Sequence, residues 1–503
     1  MRQVYLPMGY IWSRKFAYKE TPITRQLRDE LFTESWDAIN FSANRNTIST
    51  ADNYNPKSVV LRSLNWLLVN VYNPFLRTNY LKQWSEDWAF KLIQMEDENT
   101  NFANLGPVNG PLNLLACYIH DGPDAESVQR HRDRMHDFLW MKNEGMLVNG
   151  TNGVQVWDTE FLIQAIVEAG FAQDEEFKPM LTKALQFLDN HQIKEECHEK
   201  DVCYRHQRKG AWPFSTRDQG YTVSDCTAEG VKSTLMLQAL PEYPKLISNA
   251  RLRDAVDVLL SLQNQHSGGY ASYELQRGSE YLELLNAAEV FGRIMVEYEY
   301  PECTTAVVTA LALFRKHQPE YRAAEIETCV NRAVSWIRSN QRPDGSWYGS
   351  WGICFTYASL FACESLASMG EQCENSDRQR RACTFLLSKQ RNDGGWGESY
   401  KSCELSKWVD HEDTQVVQTC WALLALMHAG YQGKESIKKG IKLIMSRQQP
   451  DGGWKQEAIE GVFNKSWYVP SSSKDNQVAN VCQHDFLSQL QVLLAYQDTG
   501  HVR

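Results

Sequence analysis

Three near-identical stretches, QRPDGSW (Gln341–Trp347), QRNDGGW (Gln390–Trp396) and QQPDGGW (Gln448–Trp454), each close a segment of helical periodicity. Asp-Gly or Asp-Gly-Gly supplies the positive φ that stops a helix and reverses the chain, and the Trp that follows has a fixed place to pack back on it. The turn therefore reads as a structural staple rather than a catalytic motif. A looser version, QNQHSGGY, spans Gln263 to Tyr270. Working backwards from the Gln extends the pattern to five segments, ending at Gln192, Gln263, Gln341, Gln390 and Gln448. Eight positions earlier stand Ala184, Ala255, Ala333, Ala382 and Gly440, and large apolar residues such as Trp336 and Ile337 stand five and four positions earlier. Small, then large at those offsets, is the i, i+3, i+4 stripe of an amphipathic helix.

Between these segments lie stretches richer in Ala, Leu, Val and Cys: Thr159 to Ala169, Thr227 to Leu240, Thr304 to Phe314, Thr356 to Leu366 and Thr414 to Leu426. Helices apolar around most of their circumference are buried ones. Half-exposed helices alternating with buried ones read as stacked αα-hairpins. Closed into a ring, they predict an all-α fold, an (α/α) barrel whose inner wall surrounds a central cavity. Residues 126–466 are assigned to this barrel.

Composition limits the function. At roughly 150 residues per domain, 503 residues allow about three domains, or fewer if a repeat absorbs the chain. With 43% apolar and 23% charged residues, the chain is neither disordered nor a polytopic membrane protein. The net charge of −10 argues against a nucleic-acid partner. The 13 cysteines are an odd number and scattered, which fits a reducing compartment. Cys197, His198, Cys203 and His206 have zinc-ligand chemistry, but without CxxC pairing a solvated loop is the preferred reading.

The starts of the inner helices form the rim of the predicted cavity. Asp225 opens one of them in VSDCTAEG, with Glu229 four residues on and on the same helical face. A carboxylic acid enclosed by apolar walls is disfavoured as an anion, so it stays protonated near neutrality and can serve as a Brønsted acid. On spacing alone, helix capping by Asp225 is an equal alternative. The many aromatic residues at turns and helix ends favour the acid. Trp157, Phe214, Tyr273, Phe291, Trp351 and Phe463 suit a pocket that stabilises positive charge, since a cation over a ring gains about 0.5–2 kcal/mol.

With DCTAE, the repeated Gln-to-Trp turns, and stretches such as WMKNEGMLVNGTNGVQVWDT, SYELQRGSEYLELLNAAEVFG, PECTTAV and GSWGICFTYA, the chain closely resembles the oxidosqualene cyclases from about Arg2 to about Ser466. The resemblance implies an enzyme that folds (3S)-2,3-oxidosqualene in its cavity, opens the epoxide by protonation and guides a polycyclic cation to a sterol-type alcohol. It implies Asp225 as proton donor, Cys226 and Cys303 as its hydrogen-bonding partners, and Glu229 as an aid to proton re-supply. Trp157, Phe214, Phe291, Trp351 and Phe463 match cavity aromatics, and Tyr273 matches the residue near the final deprotonation. No cofactor is implied, neither nucleotide nor metal. Relatives that protonate an alkene carry a DxDD-type cluster; here Val223 and Cys226 stand where further Asp residues would be needed, so an epoxide substrate follows. Thr151, Gln219 and Val223 resemble the combination that yields lanosterol rather than cycloartenol.

The resemblance implies a membrane-associated entrance segment over 1–30, a helical remnant of a second α-barrel domain over 31–125 and, after the catalytic barrel, an atypical C-terminal tail over 467–503, and it has two departures. In the family, a region precedes the equivalent of Arg2 and includes a His that pairs with the equivalent of Tyr273. Beyond Ser466, the stretch from Trp467 to Arg503 is unlike the family. What is retained is expected to hold the acid but not the whole cavity, and a catalytically impaired fragment serving as a lipid-binding or interaction module is the alternative function. The stretch MRQVYLPMGYIWSRKFAYKE resembles the family's membrane-inserted entrance. There Tyr5, Leu6, Met8, Tyr10, Ile11 and Trp12 are expected to enter the interface of an endoplasmic-reticulum or lipid-droplet membrane while Arg14 and Lys15 face headgroups. A protein prenyltransferase β-subunit, the third class, requires a zinc site and a partner subunit.

Overall fold

The computed structural model describes residues 2–44, 46–106, 108–142, 145–148, 153–463 and 465–468. The C-terminal tail from 469 onwards and Thr151 lie outside the described residues. The fold is all-α. Five inner helices, Gln155–Glu168, Ser224–Gln238, Pro301–His317, Cys354–Ser368 and Val416–His428, pack each against the next. Each is followed by an outer helix that packs against it: Lys178–His191, Asn249–Ser261, Ala323–Ser339, Asp377–Lys389 and Lys434–Ser446. The alternation is the predicted one, with boundaries shifted by a few residues. Thr414, expected to open the last inner helix, sits instead in a short strand, Asp410–Gln415, paired with Trp396–Glu398.

The inner helices form because nearly every face meets another apolar face. In Cys354–Ser368 and Val416–His428, burial runs almost without interruption around the circumference. Gly170, Gly370 and Gly430, at φ of 79, 80 and 69°, stop three of them in the left-handed conformation that frees the chain to turn outwards. The outer helices keep one exposed face.

The turns explain why the repeat holds together. In each, the aromatic residue donates back to the outer helix it follows: Trp347 Nε1 to the Ile337 carbonyl at 2.8 Å, Trp396 Nε1 to Leu386 at 2.7 Å, and Trp454 Nε1 to Ile444 at 2.8 Å. Tyr270 does the same through its hydroxyl, to the Leu259 carbonyl at 3.0 Å. The Gln side chain reaches forward. Gln341 Nε2 bonds Gly345 O at 3.0 Å within its own turn and Arg378 O at 2.9 Å on the next outer helix; Gln390 does so with Gly394 at 2.9 Å and Ser436 at 2.8 Å. Gly345 is required twice over, by its φ of +93° and because a Cβ there would lie 2.4 Å from the Arg381 carbonyl oxygen.

A fifth turn was hidden in the sequence. Gln192 bonds Gly210 O at 2.8 Å and Arg251 O at 3.2 Å, and Trp212 Nε1 bonds Leu188 O at 2.9 Å. Residues 193–209 are inserted between the Gln and its Gly-Ala-Trp, and the base of this excursion is closed by reciprocal bonds, Ile193 N to Ala211 O at 2.9 Å and Gly210 N to Ile193 O at 2.8 Å. Cys197, His198, Cys203 and His206 all lie in it. Cys197 and Cys203 bring their sulfurs within 3.8 Å, while His206 Nε2 accepts from the Leu275 amide at 3.2 Å. The four do not gather as a metal-ligand set among the described residues.

The helices before the barrel build a second, smaller core of Tyr10, Phe90, Ile93, Ala116, Cys117 and Val128. Here Asp97, Cys117 and His131, all buried, bring their side-chain ligand atoms within 4.8 Å of one another. His131 Nε2 lies 3.1 Å from Asp97 Oδ2, and Asn113 donates to Asp97 Oδ1 at 2.8 Å, so the cluster ties three helices together. The Arg2–Arg14 helix packs on this core. Tyr10 is turned inwards against Phe90, centroids 5.4 Å apart, which removes it from the set expected at a membrane surface. Met8, Trp12, Phe16, Trp66, Phe75 and Trp84 are exposed. No described helix is long and apolar enough to cross a membrane.

Candidate active site

The inner helices line a pocket in the bore of the barrel. Its lining follows from helical spacing. Asp225 and Glu229 on Ser224–Gln238, Glu302 and Ala306 on Pro301–His317, and Tyr357 and Phe361 on Cys354–Ser368 are i, i+4 pairs that share one face of their helix and point into the bore. Trp157, Phe214, Tyr273, Trp351 and Val154 complete it.

Asp225 stands in the first turn of its helix with 4% of its surface exposed. Its Oδ1 accepts from the Cys226 backbone N–H at 2.9 Å, and its Oδ2 from the Cys303 thiol at 3.2 Å. Cys226 thus serves the acid through its amide. The thiol belongs to a directed chain. The Trp351 indole N–H donates to Ser272 Oγ at 3.2 Å, and Ser272 Oγ lies 3.2 Å from Cys303 Sγ. Because the indole can only donate and the thiol donates onward to the carboxyl, the serine hydroxyl donates to sulfur. Burial raises Asp225 to about 6, against the two hydrogen bonds, which favour its charged form, and with a smaller push from Glu229. The acid therefore titrates closer to neutrality than an ordinary aspartate, on the wall of the bore.

Glu229 is also raised by burial, an effect opposed by Lys232, whose Nζ lies 2.7 Å from Oε2, and by Gln164, which donates to the same oxygen at 2.8 Å. Glu302 is pushed up to about 7 by burial despite accepting from the Ser350 and Trp351 amides at 2.9 and 3.2 Å. Those bonds hold the backbone that carries Trp351. Burial, with Asp225 facing it, lifts the Tyr273 phenol and keeps it neutral.

The aromatic wall is continuous on one side: Trp157 to Phe214 is 5.5 Å between centroids and Phe214 to Tyr273 is 6.2 Å. Rings that face a cavity stabilise cations without offering a base. The structure thus brings together Asp225, Cys226, Cys303, Glu229, Tyr273, Trp157, Phe214 and Trp351. It does not bring Phe291, Gln219 or Val223 into the lining. Phe291 lies in the 286–298 loop, where its carbonyl accepts from Asn286 at 3.2 Å. Gln219 accepts from the Ser215 amide at 3.2 Å, and Val223 is packed with Cys226. The backbone of Phe463 pairs in a short strand with Trp467, and its side chain, like Thr151, lies outside the described residues. Sequence reasoning missed Glu302, Ser272, Tyr357 and Phe361; extending the Asp225/Glu229 spacing to the neighbouring inner helices finds all but Ser272.

Residues 154–476 match the family described as the squalene-hopene cyclase C-terminal domain. The chain is 61% identical over 469 residues to a lanosterol synthase of Aspergillus fumigatus, an alignment covering 93% of this chain and 62% of that one. It is 56% identical over 470 residues to a lanosterol synthase of Gibberella zeae (93% and 61% covered) and 44% identical over 479 residues to a lanosterol synthase of Mus musculus (94% and 65% covered). The chain spans less than two thirds of the length of these relatives.

Proposed function

This chain belongs to the oxidosqualene cyclase family, and on that premise we propose that it cyclises (3S)-2,3-oxidosqualene to lanosterol. The observation that carries the reading is the environment of Asp225: a buried carboxyl, held by the Cys303 thiol and the Cys226 amide, opening into a cavity walled by Trp157, Phe214, Tyr273 and Trp351.

In the proposed reaction, the Asp225 O–H bond breaks as its proton passes to the epoxide oxygen, the epoxide C–O bond opens, and the nearest alkene supplies the electrons for the first ring. Each later ring closure or shift moves positive charge along the chain. The aromatic faces stabilise it and exclude water. Loss of one proton from the last cation, on the Tyr273 side of the cavity, ends the sequence, so substrate and product are isomers. An epoxide is far more basic than an alkene, and one carboxylic acid near pKa 6, with Val223 rather than a further acid two residues before it, is matched to that base. The exposed Met8, Trp12, Phe16 and Trp66 support contact with the cytosolic face of an endoplasmic-reticulum or lipid-droplet membrane, the source of so apolar a substrate.

The test is expression of the chain in cyclase-deficient cells with analysis of non-saponifiable lipids. Lanosterol is expected with the wild type and none with Asp225→Asn. Retention of oxidosqualene without turnover would replace this reading with that of a lipid-binding module. Co-sedimentation with phosphatidylcholine vesicles, weakened by Trp12→Ser, tests the membrane contact.

A further inference from the structure

Near Asp225 and Glu229 lies a further carboxyl group, Glu160, that the mechanism leaves unused. It stands on the Gln155–Glu168 helix with 0% exposure, and among the described residues neither of its carboxylate oxygens has a hydrogen-bond partner. It fits there because of what faces it. A Cβ at Gly230 would lie 2.8 Å from Glu160 Oε1 and 2.8 Å from the Trp212 ring, so only glycine leaves room for this carboxyl. One turn further along, Gln164 donates to Glu229. Glu160 and Gln164 therefore form one i, i+4 stripe that faces the stripe of Asp225, Glu229 and Lys232 on the neighbouring helix.

The three carboxyl groups are treated differently by their surroundings. Glu229 has Lys232 and Gln164 to balance a charge, and Asp225 has a thiol and an amide. Glu160 has neither. Burial, with Glu229 and Asp225 facing it and only Lys232 opposing, keeps it a neutral acid. Burying a polar group without a partner costs stability, and a neutral carboxyl can accept a proton on one oxygen while releasing one from the other.

We infer that Glu160 is a proton relay that reloads Asp225 between turnovers, an inference resting on the cyclase reading above. After epoxide opening, Asp225 is a carboxylate. The Glu160 O–H bond breaks as an O–H bond forms on Asp225 through ordered solvent, and the other Glu160 oxygen takes a proton arriving from the Glu229 side. The proton released by the last cation equals the one consumed, so the cycle balances. Glu160 acts through Asp225 and never meets the substrate.

Rapid-quench kinetics on the purified full chain with oxidosqualene test this. Glu160→Gln keeps the shape but cannot relay. It is expected to give one product per protein at the wild-type rate, followed by steady-state turnover about tenfold slower. In Glu160→Ala, formate is expected to restore the slow phase. Steady-state turnover equal to wild type, or a first turnover slowed in step with the later ones, overturns the relay. An activity-independent readout separates its failure from that of the cyclase reading: the infrared difference between wild type and Glu160→Gln at neutral pH is expected to show a protonated-carboxyl C=O band that shifts in Asp225→Asn. A carboxylate band, or no shift, overturns the relay even if the chain forms no product.

Discussion

The Cys303 thiol lies 3.2 Å from Asp225 Oδ2 and donates to it, so the acidity of Asp225 is set partly by a residue on a different inner helix. A donor to a carboxylate stabilises the charged form and makes the neutral acid stronger. Cys303→Ala is expected to raise the pKa of Asp225, moving the alkaline limb of the rate profile to higher pH while lowering kcat about tenfold. Steady-state assays across pH check both directions at once; an unchanged kcat with an unchanged limb would leave the thiol without this role.

Ser272 is the hinge of the donor chain from Trp351 to Cys303. Ser272→Ala should release the indole and let the thiol turn away from the acid. Lower turnover is expected, together with incompletely cyclised products that gas chromatography separates from lanosterol. Ser272→Thr retains the hydroxyl and should restore both, which a merely space-filling serine would not predict.

In the proposed reaction the protonated form of Asp225 is the reactive one, and its pKa is raised to about 6. Consequently kcat/KM is expected to be flat at acid pH and to fall about tenfold per unit as pH rises beyond that value. Initial rates in detergent micelles from acid to neutral pH measure this directly. A profile that rises through the same range would assign the chemistry to a base instead.

Several structural carboxyls share the same shift. Burial pushes Glu297 to about 7, Glu302 to about 7 and Glu460 to about 8. A group whose folded pKa is raised binds its proton more tightly in the folded state. Its contribution to stability is complete below the unfolded value of about 4.3 and is lost as pH rises through the folded one. Thermal melts should therefore show Tm falling between about pH 5 and pH 8. A Tm that climbs through this window would show that these groups are not held protonated.

The first and last of the three Gln-to-Trp staples differ in depth. Trp347 is wholly buried, whereas Trp454 is half-buried. Trp347→Ala should cost about 3–5 kcal/mol, the range for deleting a large core aromatic, and Trp454→Ala distinctly less. Denaturant midpoints of the two variants give the comparison.

The parts of this architecture that are local in sequence were readable from it. The Gln, Gly and Trp of each turn lie within a few residues of one another, so their spacing declared the outer helices, and composition declared the inner ones. The turn that begins at Gln192 escaped because residues 193–209 separate it from Gly210 and Trp212. In the cavity, Asp225 and Glu229 were visible as an i, i+4 pair beneath a family motif. Glu302 was passed over although its neighbour Cys303 was not, because its partners are the amides of Ser350 and Trp351, distant in sequence and carrying no residue-type signal. Glu160 was equally silent: what makes it notable is the lack of a partner and the bare backbone of Gly230 opposite, and both are facts of packing.

The excursion at residues 193–209 works as a buttress. Its two feet are clasped to each other by Ile193, Gly210 and Ala211, and its far end is fastened to the Asn79–Asn99 helix: the His198 amide donates to Asn99 Oδ1 at 3.2 Å, Arg205 pairs with Glu96 at 2.9 Å, and Cys197 and Cys203 pack with Leu92 and Met95. Shortening it would therefore unmoor the helices that precede the barrel from the barrel itself, while the turn at its base could still close.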